Sequence, residues 1–529
     1  MKFRIVSVLL VSTYFFCSCK QLESKNNQGI LDTFPETTQA ALVVGSFIET
    51  STITIDSIFI VRFFKTYTKL NQYQAEVFEF YRNRSYELAW HDSTGKIEAH
   101  QILFNWVMQM EENGLNEQIP YLEEFKRFAN KEKNDSIGFV DLMQTAQYFH
   151  FAGHVLDGLS EHELQLQEWY IPKVKKNYTD LLEKFISGEK DAFDKSLYPQ
   201  YQLLKKALVQ LRQIQKKGGY PIVPFTGSAL RLAQNNPVVN DIKNRLKVSG
   251  EFQEKDSSDF FSINLDYAVR QFQQKHGLHA DGIVGNRTIQ AMNISIEERI
   301  KQVMVNMERC RWLPIKTDKD YVLINIPAFS LAVMKGDSLV IACEAIVGKE
   351  TNRTAIFKGM MKYIVFNPYW NIPDKIAEKE IIPAISRNKD YLKENHMEWH
   401  DGRLRQLPGP DNALGEIKFV FPNPFDIYLH DTPAKGLFKE QKRAFSHGCI
   451  RISAPHQLAA YLLREKTDWS SQKMDEILSK GKEHYVKLDK EIPVYILYLT
   501  TFVGLNGELN FREDIYQKDG ALARVMFKN

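Results

Sequence analysis

The spacing of apolar residues changes along this chain, and this change constrains the fold more than any other feature. From about residue 41 to residue 230 the apolar positions repeat as on a helix, for example at Ala99, Leu103, Trp106 and Met110. From about residue 321 the repeat becomes that of strands, beginning with a β-rich run over residues 321–326. At about 150 residues per domain, a chain of 529 residues is expected to form about three domains.

The segment between these two parts has a pattern of its own. One apolar helix face is formed by Leu265, Ala268, Val269 and Phe272. The string VRQFQQKHGLHADGIVGNRTIQAMN, residues 269–293, resembles the peptidoglycan-binding domain type 1. The resemblance implies a small three-helix module that holds cell-wall polymer without catalysis, or that serves as a spacer within a larger enzyme.

The first residues predict export. Lys2 and Arg4 precede an apolar run, residues 5–16, that is too short to span a bilayer as a mature helix. This pattern is typical of a signal peptide, which we assign to residues 1–18. Cys19 resembles the lipidated first residue of a bacterial lipoprotein, with a plain secretory cleavage nearby as the alternative. We therefore expect a periplasmic protein, lipid-anchored to the outer membrane of a Gram-negative bacterium through a polar tether, residues 19–40.

Charge and cysteine content exclude two classes of protein. Lys and Arg total 68 against 65 Asp and Glu, so the net charge of +3 gives no sign of the basic surface that nucleic-acid binding needs. Five cysteines are too few for a disulfide scaffold. Beyond the first 19 residues the thiols are Cys310, Cys343 and Cys449, an odd number that leaves at least one unpaired. Cys310 and Cys343 either pair or remain as buried thiols.

One cysteine has polar neighbours in the sequence that indicate a catalytic role. The motif is Ser446-His447-Gly448-Cys449-Ile450-Arg451, and His430 precedes Cys449 by 19 residues. A cysteine nucleophile needs a base to form the thiolate and N–H donors for the developing oxyanion. Glycine before the cysteine permits a sharp turn that can aim the N–H groups of Gly448 and Cys449 at one point. A zinc site is disfavoured because no further cysteine lies at ligand spacing, so we predict no metal.

These residues resemble the YkuD-type L,D-transpeptidase family, whose motif is a histidine followed later by S/T-H-G-C-x-R/N. Further likeness to its large, multidomain, exported branch lies in residues 80–84, 306–309, 365–370 and 428–437. The resemblance implies a multidomain fold with an α-helical N-terminal scaffold, a small peptidoglycan-binding-like domain and a mainly-β catalytic domain that carries a cap insertion.

The predicted domain limits follow from the change of pattern and from the resemblance. They are a helical scaffold over residues 41–232, the peptidoglycan-binding-like domain over 233–295, a connecting helix over 296–320, a catalytic domain over 321–470 with its cap at about 375–412, and a C-terminal extension over 471–529 that packs on scaffold and catalytic domain.

The family implies an acyl transfer between peptidoglycan stem peptides. Cys449 attacks the carbonyl of the third residue, a diamino acid, of a tetrapeptide donor. The terminal D-amino acid leaves, and a thioester remains on the enzyme. The side-chain amine of a third residue on another stem then forms a 3→3 cross-link. No metal or organic cofactor is needed, and carbapenem-type β-lactams are implied as inhibitors.

The resemblance also implies a role for each motif residue. Cys449 is the nucleophile and His430 the general base, whose ring is oriented by a backbone carbonyl such as that of Asp431. The oxyanion is bound by backbone N–H groups of Gly448, Cys449 and His447. The substrate contacts are Arg451, Tyr428 and Trp370, although Arg451 can also brace its loop and Trp370 can simply pack.

Three other functions remain open from sequence alone. Water as acceptor makes the same site an L,D-carboxypeptidase. A cysteine peptidase or amidase on the same peptides shares the site and differs only in the acceptor. A non-catalytic lipoprotein that tethers the membrane to peptidoglycan needs only Cys19 and the binding module, but then Cys449 and His430 have no purpose.

Overall fold

The computed structural model describes residues 53–92, 95–115, 118–130, 136–225, 227–314 and 319–527. The predicted signal segment 1–18, Cys19 and the tether lie outside the described residues. The described residues form one compact unit. None of the described helices is both long enough and apolar enough to cross a lipid bilayer.

The first part of the structure is helical, in keeping with its apolar repeat. Its elements are α1 (Ser57–Thr66), α2 (Gln74–Asn83), β1 (His91–Asp92), β2 (Gly95–Lys96), α3 (Glu98–Met108), α4 (Leu122–Asn130), α5 (Ile137–Ala152), α6 (Glu161–Leu166), β3 (Trp169–Tyr170), α7 (Tyr178–Ile186), α8 (Ala192–Lys195) and α9 (Pro199–Lys216). Helix α5 is the centre of this scaffold because it is buried on almost every side. Its Asp141 accepts hydrogen bonds from the Tyr81 hydroxyl and from the backbone of Ala89 and Trp90, so this buried carboxylate is fully used.

The next part is a small module with a hydrophobic core of its own. It consists of α10 (Val238–Ser249), α11 (Ile263–Lys275) and α12 (Asn286–Met292). The apolar face predicted on α11 is buried in that core. The tight turn between α11 and α12 needs Gly282, whose φ is +74° and where a Cβ atom would lie 2.1 Å from Asp266 Oδ1.

Helix α13 (Ile296–Arg311) joins the scaffold to the predicted catalytic domain, called the catalytic part below. Ser295 and Glu298 close its first turn as a capping box. The helix packs along α9, and nearly all of its residues from Val303 onward are buried. Cys310 is fully buried within it, and the structure leaves Cys310, Cys343 and Cys449 as free thiols.

The catalytic part is built on a sheet that closes on itself. Its strands are β4 (Asp320–Asn325), β5 (Ser330–Lys335), β6 (Ser338–Gly348), β7 (Ile356–Phe366), β11 (Ile417–Val420), β12 (Leu429–His430), β13 (Ala444–Ser446), β14 (Ile450–Ile452) and β15 (His484–Leu497). The order is β11-β12-β14-β6-β5-β4-β15-β7, and β7 also pairs with β11. The scaffold strand β3 pairs in parallel with β7, so the two parts share one sheet.

The last part of the chain lies further inside this sheet than the sequence suggests. Strand β15 runs between β4 and β7, parallel to the first and antiparallel to the second. The catalytic fold therefore extends past residue 470, the limit taken from the sequence. Around it lie α17 (Pro455–Leu463), α18 (Ser471–Ser479), the hairpin of β16 (Thr501–Val503) and β17 (Leu509–Phe511), and α19 (Lys518–Met526).

The predicted cap is a small subdomain between β7 and β11. Its elements are β8 (Trp370–Asn371), α14 (Asp374–Ile376), a π-helical turn (Ala377–Ile381), α15 (Ile382–Arg387), α16 (Tyr391–Glu394), β9 (Met397–His400) and β10 (Arg403–Gln406). It has a separate core of Ile372, Ala377, Ile381 and Leu404. The cap also contains a three-stranded sheet in the order β8-β10-β9, which the charged composition of this segment does not predict.

Candidate active site

The register of three neighbouring strands brings the motif residues to one face of the sheet. Lys418 on β11 pairs with His430 on β12, and His430 pairs with Arg451 on β14. Directly paired residues point to the same face, and so do residues two positions apart on one strand. Tyr428 and Cys449 lie two positions before His430 and Arg451. Lys418, His430 and Arg451 therefore share one face, and Tyr428 and Cys449 lie just before β12 and β14.

Cys449 sits at the end of a turn held by side-chain hydrogen bonds. Gly448 has a φ of +124°, which an L-residue rarely adopts. Ser446 Oγ donates to the Cys449 carbonyl at 2.5 Å, and Thr354 Oγ1 donates to the Gly448 carbonyl at 2.8 Å. The sequence around Cys449 thus folds into a fixed support that presents its thiol at the start of β14.

In this arrangement Cys449 is held as the protonated thiol, not as the thiolate. Its Sγ donates to the Asp426 carbonyl oxygen at 3.6 Å. Burial raises the pKa of the Cys449 thiol, while contacts with the Tyr428 backbone and hydroxyl and the charge of Lys418 lower it. Conversion to a thiolate therefore needs both a base and help from neighbouring positive charge.

His430 is buried and has the tautomer that a general base needs. Its Nδ1 lies 2.5 Å from the carbonyl oxygen of Asp431, so Nδ1 carries the proton and Nε2 the lone pair. Burial and the charge of Arg451 lower the pKa of His430 to about 3, so the ring is neutral near pH 7. No hydrogen bond joins His430 and Cys449 in the described structure, and Cys449 lies two residues before the Arg451 that pairs with His430.

The carboxylate of Asp431 has a different task from its carbonyl. Its Oδ2 accepts the Glu416 N–H at 3.0 Å, and its Oδ1 pairs with Lys435. A Cβ atom at Gly415 would lie 2.4 Å from Oδ2, so glycine is required for this close approach. The side chain fixes the loop, and this leaves the main chain of Asp431 in place against His430.

The three N–H groups predicted to bind an oxyanion differ in whether they already have a hydrogen-bond acceptor. The Gly448 N–H already donates to Ser446 Oγ at 3.1 Å. Among the described residues, the N–H groups of His447 and Cys449 have no hydrogen-bond acceptor. The Gly448 donor is thus used within the turn, and the oxyanion role of all three N–H groups stays a prediction.

The His447 side chain reaches away from the sheet to the cap. Its Nε2 lies 2.8 Å from Glu380 Oε1 in the π-helical turn. The sequence predicts a role only for the backbone N–H of His447, as a donor to the oxyanion. The contact joins the cysteine motif directly to the cap.

Arg451 and Trp370 have different relations to the thiol. Arg451 is half-buried, and its Nε is buried without a hydrogen-bond partner among the described residues. Burial lowers the pKa of Arg451, while a Cys449 thiolate raises it, so the two groups interact. Trp370 lies on β8 and packs against the core of the cap.

Sequence reasoning missed Lys418. Its Nζ lies 3.8 Å from the centroid of the Tyr428 ring, and the Tyr428 and His430 ring centroids are 5.6 Å apart. A signal was present, since Lys418 stands between Ile417 and Phe419, which are both buried on the other face of the strand. Within the described part of the chain, no three His, Cys, Asp or Glu side chains are grouped to hold a metal ion.

The arrangement can be compared with known families. Residues 319–486 match the family model described as "L,D-transpeptidase catalytic domain", YkuD. The chain carries a YkuD-family L,D-transpeptidase domain. Ahead of this L,D-transpeptidase domain, residues 75–208 match a "Scaffold domain", and residues 235–292 match a "Putative peptidoglycan binding domain". These matches confirm the predicted family and the predicted fold class.

Individual relatives resemble parts of the chain. A protein of Haemophilus influenzae named "Putative L,D-transpeptidase" is 30% identical over an alignment of 259 residues that covers 44% of this chain and 52% of that protein. The chain thus spans about half the length of the curated relative that it matches.

Solved structures with an L,D-transpeptidase domain are more distant. The L,D-transpeptidase (Yku) from Stackebrandtia nassauensis is 12% identical, with a TM-score of 0.22, covering 52% of this chain and 96% of that one. An L,D-transpeptidase from Xylanimonas cellulosilytica is 14% identical, with a TM-score of 0.18, covering 52% of this chain and 100% of that one.

Proposed function

We propose that this chain is an L,D-transpeptidase that acts on peptidoglycan stem peptides with Cys449 as its nucleophile. One observation carries the proposal. Within the L,D-transpeptidase domain, His430 pairs with Arg451, two residues after Cys449, and the Asp431 carbonyl accepts from Nδ1 of the neutral His430 ring. A cysteine beside an oriented neutral histidine is the arrangement that covalent acyl transfer uses.

The first half of the reaction forms a thioester. The Cys449 thiol leaves the Asp426 carbonyl, turns to His430 and gives its proton to Nε2. The sulphur attacks the carbonyl of the third residue of a tetrapeptide stem, and the carbonyl oxygen becomes an oxyanion. The C–N bond to the terminal D-amino acid then breaks, and His430 returns the proton to the leaving amine.

The second half transfers the acyl group. The side-chain amine of a diamino acid on another stem attacks the thioester, His430 takes its proton, and the Cys449 thiolate leaves and is reprotonated. The product is a 3→3 cross-link. The N–H groups of His447 and Cys449, which have no other acceptor among the described residues, bind the oxyanion in both halves. Arg451 and Tyr428 contact the substrate, and Trp370 acts through the cap.

The remaining parts of the chain support a location at the cell wall. The peptidoglycan-binding-like domain supports a polymeric peptidoglycan substrate. The signal segment 1–18 and Cys19 make the protein an exported lipoprotein, held in the periplasm at the outer membrane. Carbapenem-type β-lactams acylate Cys449, since their strained carbonyl resembles that of the donor.

The test uses the full chain purified in detergent. It is incubated with disaccharide-tetrapeptide, and the products are analysed by mass spectrometry beside a Cys449→Ala variant. A dimer with a 3→3 link that the variant does not form is the expected result. A tripeptide without dimer would make the chain an L,D-carboxypeptidase. Equal products from both proteins, or none from a folded and reduced wild type, would contradict the proposal.

A further inference from the structure

The Cys449 thiol and the His430 ring do not form the charged pair that usually activates a catalytic cysteine. The thiol donates to Asp426, and His430 is buried beside the positive charge of Arg451. A neutral imidazole can accept the thiol proton only if the resulting thiolate is stabilised by another group. The face that carries Cys449 must therefore supply positive charge of its own.

Lys418 is placed to supply it. Its backbone pairs with His430, and its ammonium nitrogen lies over the Tyr428 ring at 3.8 Å from the centroid, a cation–π contact. No carboxylate among the described residues forms an ion pair with Lys418. Its side chain is half-buried, so its charge is only partly screened by water.

Tyr428 connects the lysine to the thiol. The Tyr428 backbone and hydroxyl contact Cys449, and the same ring supports the ammonium group on its face. Burial and the Cys449 charge raise the pKa of the Tyr428 hydroxyl, so that hydroxyl stays protonated near pH 7. The Tyr428 side chain thus contacts the ammonium group of Lys418 and neighbours the thiol.

We propose that Lys418 is a positioning residue of the Cys449 site, whose ammonium group holds the Tyr428 ring and stabilises the negative charge on the sulphur before attack. The inference rests on the proposed function, in which Cys449 is the nucleophile. Lys418 keeps its proton throughout, and the proton of the thiol goes to Nε2 of His430.

The other charges around the thiol set the size of this effect. The titratable and charged groups that face the site from the surrounding elements are Asp426, Tyr428, His430, Arg451 and Glu483. Arg451 is the other cation, and the two carboxylates oppose both. Burial lowers the pKa of Lys418 and the Cys449 charge raises it, so each charge stabilises the other. Removing Lys418 therefore raises the pKa of the thiol.

The experiment measures the pH dependence of iodoacetamide alkylation at Cys449 in the full chain, followed by peptide mass spectrometry. Lys418→Met is expected to move the midpoint up by about one pH unit and to slow alkylation at pH 7 about tenfold. Lys418→Arg keeps a cation and is expected to restore most of the rate. Lys418→Gln serves the same purpose if the methionine variant does not fold.

A matched control distinguishes the loss of a positive charge near Cys449 from the loss of a positive charge elsewhere on the same sheet. Lys358 on β7 also lies over a tyrosine, 5.4 Å from the Tyr495 ring centroid, and Lys358→Met is expected to leave the midpoint unchanged. An unchanged midpoint in folded Lys418→Met, even with a higher KM for the donor, would overturn the proposal. Alkylation needs no peptidoglycan, so this result is independent of whether the chain forms cross-links.

Discussion

At the scale of single residues, the site depends on polar groups that each have a separate hydrogen-bonding role. The Asp431 carbonyl orients His430 while the Asp431 carboxylate secures the loop. Ser446 Oγ accepts from Gly448 and donates to the carbonyl of Cys449. Because buried polar groups must be paired, this division of tasks holds the thiol and the imidazole in place before substrate arrives.

The backbone at Gly448 gives a prediction at this scale. A Cβ atom has room there, since the nearest atom is the Arg353 carbonyl oxygen at 3.8 Å, but the φ of +124° disfavours any L-residue. Gly448→Ala is expected to cost about 1–2 kcal/mol of unfolding free energy and to lower activity about tenfold or more, because the turn that presents Cys449 must shift. Urea unfolding and the cross-linking assay measure both.

Gly436 provides the control for this substitution. It lies in the 3-10 helix Lys435–Lys439 before the motif, with an ordinary φ and open space for a Cβ atom. Gly436→Ala should change the unfolding free energy by less than about 0.5 kcal/mol. Wild-type stability and activity in Gly448→Ala would show that the turn tolerates a side chain.

At the scale of elements, the cap and the catalytic sheet meet through a side-chain contact. The cap has its own core, so it can move as a unit, and its π-helical turn carries Glu380 to His447. π-Helical turns often occur at functional sites. The contact is partly exposed, and a polar contact of this kind contributes about 0–1 kcal/mol. A bond of that strength can hold the cap and still release it.

Glu380→Ala is expected to loosen the cap without unfolding the domain. Hydrogen exchange over residues 377–387 should become about two- to fivefold faster, as loss of a contact worth up to about 1 kcal/mol predicts. The KM for the stem peptide should rise while Cys449 alkylation is unchanged.

Glu378 lies on the same turn and is exposed, and Glu378→Ala should leave both the exchange rates and the KM as in the wild type. Equal exchange in the Glu380 and Glu378 variants would mean that the cap is held by other contacts.

At the scale of the whole molecule, the three parts are joined by buried or specific contacts. Helix α13 lies between the scaffold and the catalytic sheet, and its Glu308 accepts the Leu159 N–H at 2.7 Å and the Trp312 indole N–H at 2.9 Å. Glu308 also pairs with Arg311 inside the protein. The peptidoglycan-binding-like domain reaches the loop before the cysteine motif, where Gln441 donates to the Gly277 carbonyl at 3.2 Å. The peptidoglycan-binding-like domain and the loop before the cysteine motif are thus in direct contact.

Removal of Glu308 tests this connection. Glu308→Ala leaves Arg311 buried without its carboxylate, so we expect a loss of about 3–5 kcal/mol in unfolding free energy. Scaffold and catalytic part should then unfold in separate transitions by calorimetry. Glu297→Ala, in the exposed first turn of the same helix, should cost less than about 1 kcal/mol. A single transition at wild-type temperature in Glu308→Ala would exclude this role.

Parts of the site and of the fold were out of reach of sequence reasoning for a physical reason. In the sequence, Lys418 has the context of an ordinary strand lysine. Its pairing with His430 exists only in the folded sheet. Glu380 lay in a charged segment with no sign of its partner, 67 residues away. The place of β15 between β4 and β7 depends on pairings across more than 100 residues, which no local repeat encodes. These positions are set by loop closure and packing of the complete chain.

What the sequence determined by itself is local. The helical repeat of the scaffold, the apolar face of α11, the strand pattern from residue 321 and the Gly448-Cys449 turn each arise from a few consecutive residues, because backbone propensity and side-chain spacing act over short distances. The tertiary structure alone decided which charges surround Cys449, which N–H donors remain unused and how the cap reaches His447. Those features exist only when distant strands share one face, since electrostatic interactions depend on distance in space and not along the chain.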